Sequence, residues 1–533
     1  MSRKKQKLNL KKLGLPFPIH PFLFALYPIL FFYSNNIREV FLDVLPLPLF
    51  VVVIFTLCIF LVFNLFFKDK IKSGIATSLF LVLFFSYGHM RNTTGGFNIG
   101  RFELLTPIWI GSFLLGTYLL TKIRKNLSSL CNYLNIISAL LVGFSLVNII
   151  YFEISTSRVA RSLENRTEEA KTTSTKLNKP DDPPDIYYLI FDRYASVETL
   201  EDIYNYDSSE FTDYLTQKGF YVATNSRANY PRTFLSLGSS LNMEYINYLA
   251  KTIGEDSDDE SAGYKLLNNF KAQKLLKEIG YQYIHIGSWW EPTRKNDNAD
   301  RNYFYNPFKF KYLEGLDEFS TKLLETTILS VILYRTSPDG VSEPLWGRSN
   351  HRQSIIYQFE KLEDIISKTD GPKFVFAHIL IPHLPYVLDQ GCKTITEKQA
   401  KSRSNEANYL NQLGCANKKI KPVVEKIFEE SAGSAIVILQ SDEGPDPTKL
   451  KLEEKWQKSS INALKEKTGI LNAYYLPGKD KKKLYPAITP VNSFRIIFNL
   501  YFGADFDILE DKIYMIENKE KPYKFFEFTE KLK

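Results

Sequence analysis

The sequence predicts a two-part chain. An N-terminal membrane region of about five helices, residues 1–155, is followed by a linker at 156–184 and an α/β domain over 185–533, whose mainly parallel sheet is covered by helices on both faces. Three observations carry this prediction. Long apolar stretches crowd the first 155 residues, basic residues recur in alternate connections between them, and from 185 onward apolar runs of strand length alternate with helical patterns.

The apolar stretches lie at roughly 17–33 (PFPIHPFLFALYPILFF), 48–67, 72–89, 103–121 and 132–151. Each approaches the ~20 residues that a helix needs to cross ~30 Å of hydrocarbon, and none shows the polar face of a soluble helix. The third, IKSGIATSLFLVLFFSYGH, is the least apolar. The N-terminus carries Arg3, Lys4, Lys5, Lys7, Lys11 and Lys12, the second-to-third connection Lys68, Lys70 and Lys72, and the fourth-to-fifth Lys122, Arg124 and Lys125. These connections are expected on the cytoplasmic side of the plasma (inner) membrane. Five spans then deliver everything after 155 to the outer side. The first segment is long and has no small-x-small cleavage site, so it reads as an anchor and not a cleaved signal peptide. The spans hold almost no ionisable residue beyond His20 and His89 near their ends, which argues against a transporter or channel.

The net charge of +8 gathers largely in the inner connections and implies no nucleic-acid partner. Cys392 and Cys415 are the two cysteines of the outer region. In an oxidising compartment they are expected to pair, closing a loop worth on the order of 3 kcal/mol; in a reducing one they stay free.

Residues 156–184 (TSRVARSLENRTEEAKTTSTKLNKPDDPP) are polar and end in prolines, as a connector with a short helix at its start would. Then come the strands DIYYLIF, FYVAT, YQYIHIG, KFVFAHIL, AIVILQ and NAYYLP, separated by amphipathic patterns such as YKLLNNFKAQKLLKEIG. Continuous apolar strands between such helices indicate a parallel sheet buried on both faces. The acidic insert GEDSDDESAG (254–263) reads as a solvated loop or, less simply, a cation site.

In such a sheet, functional groups collect at the carboxyl ends of the strands. DIYYLIF ends in Asp192, and AIVILQ runs into Asp442 and Glu443. Carboxylates brought together there repel unless a cation neutralises them, and a divalent metal does so most simply; each pair by itself is also what a helix or turn cap looks like. Thr233 opens an apparent helix, where a hydroxyl is either a cap or a nucleophile that a metal could activate. His383, flanked by prolines, could bind a phosphoryl oxygen or protonate a leaving group. His378, on the preceding strand, is as consistent with a core histidine as with a ligand.

These residues resemble the sulfatase-like branch of the alkaline phosphatase superfamily, which includes lipoteichoic acid synthases and phosphoethanolamine transferases. The likeness rests on IFDRYAS, NYPRTFLSL, GYQYIHIGSWW, IPHLPY, QSDEGP and TPVNSFRIIFNLYFG, and covers 185 to about 505. It implies metal ligands Asp192, Thr233, Asp442 and Glu443, with Thr233 also the nucleophile and His383 a contact to the substrate phosphate. It further implies a membrane-lipid donor and an envelope glycan or lipid acceptor for a phosphoglycerol- or phosphoethanolamine-type group. Two departures stand out. Glu443 occupies the place where the family usually has His, which favours Mg²⁺ or Mn²⁺ over Zn²⁺. Sulfatases make their nucleophile from Cys or Ser in a Cys/Ser-x-Pro-x-Arg run, and Asn229 holds that place here. A phosphodiesterase or sulfatase-like hydrolase of the same fold, and a metal-free binding module, are the alternatives.

Overall fold

The computed structural model describes residues 17–94, 102–124, 126–171, 176–306, 317–331, 347–368, 371–447 and 456–532. The chain forms two compact units, Met1–Thr156 with Leu316–Leu345, and Ser157–Gly315 with Trp346–Lys533. The sequence reading closed the first unit at 155 and did not foresee that a segment some 160 residues further on joins it.

The first unit contains α1 (His20–Asn36), α2 (Pro46–Phe67), α3 (Lys70–Thr94), α4 (Phe102–Lys122) and α5 (Ser128–Lys171). Among the described residues four stretches are long and apolar enough to cross a membrane: Leu42–Phe67, Lys70–Arg91, Leu104–Lys122 and Ser128–Ser157. The 17 residues of α1 reach about 25 Å, slightly short of a full span. Half of the most apolar stretch of α3 is buried within the protein, in keeping with its weaker hydropathy. Its Ser73 and Thr77 hydroxyls donate back to the carbonyls of Asp69 and Ser73. The exposed N–H groups opening α1 are met from α5, where Asn135 Oδ1 accepts from the backbone of Ile19 and His20. His20 is fully buried and shares a 2.6 Å hydrogen bond with Ser78. Helix α5 continues through Lys171, so the first half of the expected connector is helical. The basic residues of 1–12, Lys125, and residues 95–101 of the third-to-fourth connection lie outside the described residues.

The second unit is built on a seven-stranded sheet: β1 (Ile186–Phe191), β2 (Tyr221–Val222), β3 (Gln282–Ile286), β4 (Arg301–Tyr303), β5 (Lys373–Ile379), β6 (Ile436–Gln440) and β7 (Asn472–Tyr475), in the order β2-β7-β6-β1-β5-β3-β4. The run β6-β1-β5-β3-β4 is parallel, while β7 and β2 add antiparallel strands at one edge. Alternation along β1 sends Tyr187, Leu189 and Phe191 into a core with Phe359 and Leu362 of the Arg348–Lys368 helix and Leu413 and Ile420 of the Asn405–Glu430 helix. Tyr188 faces the other way, edge-on to Phe494, and donates to Gln440 Oε1. Both faces are thereby covered by helices. The acidic insert is paired by the chain's own cations, Asp256 with Lys521 at 2.6 Å and Glu260 with Arg232 at 2.7 Å.

Cys392 and Cys415 form a disulfide between the loop after β5 and the Asn405–Glu430 helix. Replacing either with Ser is expected to lower unfolding stability by about 3 kcal/mol, measured by denaturant titration under non-reducing conditions; an unchanged midpoint would show that the loop is held without the bond.

Candidate active site

The parallel order places the carboxyl ends of β6, β1 and β5 side by side. Asp192 follows β1, Asp442 follows β6 by one residue, and His378 is the penultimate residue of β5. One ligand atom from each of the three lies within 4.8 Å of the others, and all three residues are buried. His378 Nε2 is 3.5 Å from Asp192 Oδ2, and Nδ1 shares a 2.8 Å hydrogen bond with Thr293 Oγ1. The tautomer with the proton on Nδ1 leaves the Nε2 lone pair facing the carboxylates, as a ligating imidazole does. Asp192 Oδ1, His378 Nε2 and Asp442 Oδ2 are buried with no hydrogen-bond partner. Orphaned acceptors converging from three strand ends are the donor set of a divalent cation, so these residues fit a metal.

Electrostatics point the same way. Burial, and then the neighbouring Asp192 and Glu443 carboxylates, push Asp442 up to about 7. Burial also raises Asp192, but His383, His378 and Arg193 outweigh it and hold this carboxyl below its ordinary range. Two carboxylates that cannot comfortably both ionise form a site short of positive charge.

Thr233 is the first residue of the Thr233–Asn242 helix, and Arg232 occupies the cap position. The threonine hydroxyl is therefore not a cap; Thr233 lines the same cavity as Asp192, and its hydroxyl lies near enough to Asp442 to moderate the upward shift of that carboxyl. The helix N-terminus adds partial positive charge beside it. Asn229, which holds the place of the sulfatase Cys or Ser, is instead fully buried, donating to the Lys512 carbonyl and accepting from Val491 N–H.

Glu443 is brought to the same pocket, but one of its oxygens is already held by the chain's own cations. Its Oε1 lies 2.8 Å from Lys467 Nζ and 3.3 Å from Arg193 Nε. Both cations continue to Asp446, Lys467 at 3.0 Å and Arg193 at 2.6 Å. Lys467 comes so close because Gly444 packs against the backbone around Glu466. A Cβ there would lie 2.1 Å from the Glu466 carbonyl, and Gly444 N–H donates to Lys467 O. Arg193 adopts φ +64°, a left-handed conformation costly for a side chain of its size. Glu443, expected among the ligands, keeps its other oxygen, Oε2, buried without a hydrogen-bond partner, while His378 joins Asp192 and Asp442 in the compact set.

His383 is half-buried on the wall of a cavity of about 510 Å³ that Asp192, Thr233, Glu443, Lys467 and Trp289 also line. Its crowded surroundings lower it to about 4, so the ring is neutral near pH 7. Its Nδ1 faces the Leu384 carbonyl. Lys467 and Thr293 were not legible as site residues, since neither has a local pattern and both arrive through distant loops.

The pocket thus gathers buried carboxylates at the ends of parallel strands beside the N-terminus of a helix that a threonine opens. The chain belongs to the sulfatase family, whose profile matches residues 202–494, more than half of its length. Similar solved structures include the C-terminal periplasmic domain of EcEptC from Escherichia coli, with 13% identity, TM-score 0.40, and coverage of 66% of this chain and 96% of that one. The corresponding domain of phosphoethanolamine transferase EptC from Campylobacter jejuni has 12% identity, TM-score 0.38, and coverage of 63% and 93%. BT1596, a 2-O GAG sulfatase, has 12% identity, TM-score 0.40, and coverage of 63% and 79%. No curated protein matches the chain.

His378→Ala is expected to weaken Mn²⁺ binding by about tenfold or more without unfolding the unit, read by calorimetric titration of the full-length protein. Affinity equal to the parent would return His378 to the core.

Proposed function

We propose that the protein is a membrane-anchored transferase that moves a phosphoryl-alcohol group, of the phosphoglycerol or phosphoethanolamine type, from a membrane lipid to an envelope glycan or lipid. In this reading the α/β unit lies on the outer side of the plasma membrane. The observation that carries it is Thr233 at the N-terminus of its helix, lining the cavity that Asp192 also lines, beside the buried cluster of Asp192, His378 and Asp442. A sulfate-ester hydrolase is the weaker reading, because Asn229 holds the place of its nucleophile precursor and is committed to backbone hydrogen bonds.

Asp192, Asp442, His378 and the Thr233 hydroxyl would hold one divalent ion, and three oxygen donors with one imidazole suit Mn²⁺ or Mg²⁺. When bound, the ion supplies Lewis-acid stabilisation of negative charge on the hydroxyl and the phosphoryl oxygens. Glu443 and Asp446 do not compete for that role in charge, since Lys467 and Arg193 balance them. Thr233 Oγ forms a bond to phosphorus as the bond from phosphorus to the lipid alkoxide breaks. The threonine proton leaves with the departing alcohol. The acceptor hydroxyl then bonds to phosphorus, its proton returns to Thr233 Oγ, and the threonine ester is released. With the Nδ1 proton of His383 directed at the Leu384 carbonyl, its Nε2 is the acceptor available to relay the incoming hydroxyl's proton.

Thr233→Ala is expected to abolish both transfer and the covalent threonine ester, with metal content retained, as mass spectrometry of protein incubated with lipid donor would show; persistent turnover in this variant refutes the nucleophile. Chelation of the parent protein is expected to cost at least ~100-fold in rate, with Mn²⁺ or Mg²⁺ restoring it in a headgroup-transfer assay. A rate insensitive to chelator would favour the metal-free alternative.

A further inference from the structure

Residues 317–331 lie in sequence between β4 and the Arg348–Lys368 helix of the α/β unit, yet belong to the membrane unit. Asp317 caps a short helix, Glu318–Glu325, by accepting from Ser320 N–H at 2.6 Å. The buried residues of that helix are Phe319, Ser320, Thr321 and Leu323. Phe319 is 3% exposed, its ring 5.1 Å from Phe32 and edge-on to Tyr33 of α1, and Leu323 joins the same cluster.

The backbone that follows binds α3 directly. Gly88 N–H donates to the Thr326 carbonyl at 2.8 Å, and Ile328 N–H donates to the Phe84 carbonyl at 3.0 Å. Phe84 and Gly88 are the i, i+4 pair that one ordinary helical hydrogen bond would join, and here each bonds to the inserted segment. Only a glycine lets the segment approach so closely. A Cβ on Gly88 would sit 2.4 Å from the Glu325 carbonyl and 2.6 Å from Thr326 Cα. Backbone outside regular helix leaves polar groups to be paired, and α3 pairs the Thr326 carbonyl and the Ile328 N–H.

We propose that residues 317–331 are an anchor by which the α/β region is attached to the membrane helices a second time, independently of the 157–184 connection, with Gly88 as the notch that receives it. The partner of the notch is this segment of the same chain. The anchor does not depend on the catalytic reading, because none of its residues belongs to the candidate site.

The test uses the full chain in detergent, bearing an N-terminal affinity tag and a protease site inserted at 172–175. After complete cleavage, the fragment beginning near 173 is expected to stay on the resin with the helices; its free elution overturns the anchor. Gly88→Leu is expected to increase release of the fragment by tenfold or more, and retention equal to the parent overturns the notch. To separate undocking from misfolding, Phe32→Cys with Phe319→Cys, in a Cys58→Ser and Cys131→Ser background, is expected to cross-link the cleaved fragments on mild oxidation. Absence of that cross-link in protein that retains the parent's helical circular dichroism also overturns the proposal.

Discussion

Asp192 and Asp442 stand at the ends of adjacent parallel strands, and the 4.8 Å span that also takes in His378 leaves them repelling one another out of reach of water. Other features of the pocket follow from that repulsion. Arg193 accepts a left-handed backbone to bring its guanidinium among the acids, and Lys467 is buried to balance Glu443 and Asp446. Among the described residues the Asp192–Asp442 pair has only the Arg193 guanidinium, 3.9 Å from Asp192 Oδ1, as a permanent cation, and Arg193 is shared with Glu443 and Asp446. A divalent ion suits that deficit, and the Thr233 hydroxyl would share its field.

The sheet supplies the rigidity this arrangement needs. β1 is buried along its whole length between two parallel neighbours, so Asp192 cannot retreat from Asp442 without breaking the ladder. The supporting contacts come from further away: Thr293 orients His378, and Tyr409 donates to the Arg193 carbonyl and accepts from Ala195 N–H. The membrane unit obeys a different solvent. There the unsatisfied backbone group is the costly one, and Asn135 at the start of α1 and the 326–328 backbone beside α3 each answer it with a group distant in sequence.

Much of the fold was legible because hydrophobic patterning is local. The α2 to α5 spans, the central strands and the acids that end β1 and β6 could each be read from a short window. The antiparallel β7 could not, since NAYYLP has the same apolar character whichever way it runs. The short helix expected at the start of 156–184 is there, but its continuity with α5 was not legible, because the composition turns polar at 156. At the site, His378 stayed ambiguous because a strand histidine in the core and one beside a carboxylate look alike until the neighbouring strand is known. For Glu443 the position was legible but not the ion pair of its Oε1, whose partner Lys467 lies 24 residues downstream.

By itself, the sequence determined which segments are apolar, which strands end in acids, and that a threonine opens a helix. These properties depend on a few consecutive residues and on the period of secondary structure. Tertiary structure alone decided that His378 joins Asp192 and Asp442, that Lys467 takes an oxygen of Glu443, and that residues 317–331 belong with the membrane helices. Those outcomes depend on distances between chain segments far apart in sequence, where charge balance and close backbone approach at glycine select one partner among many.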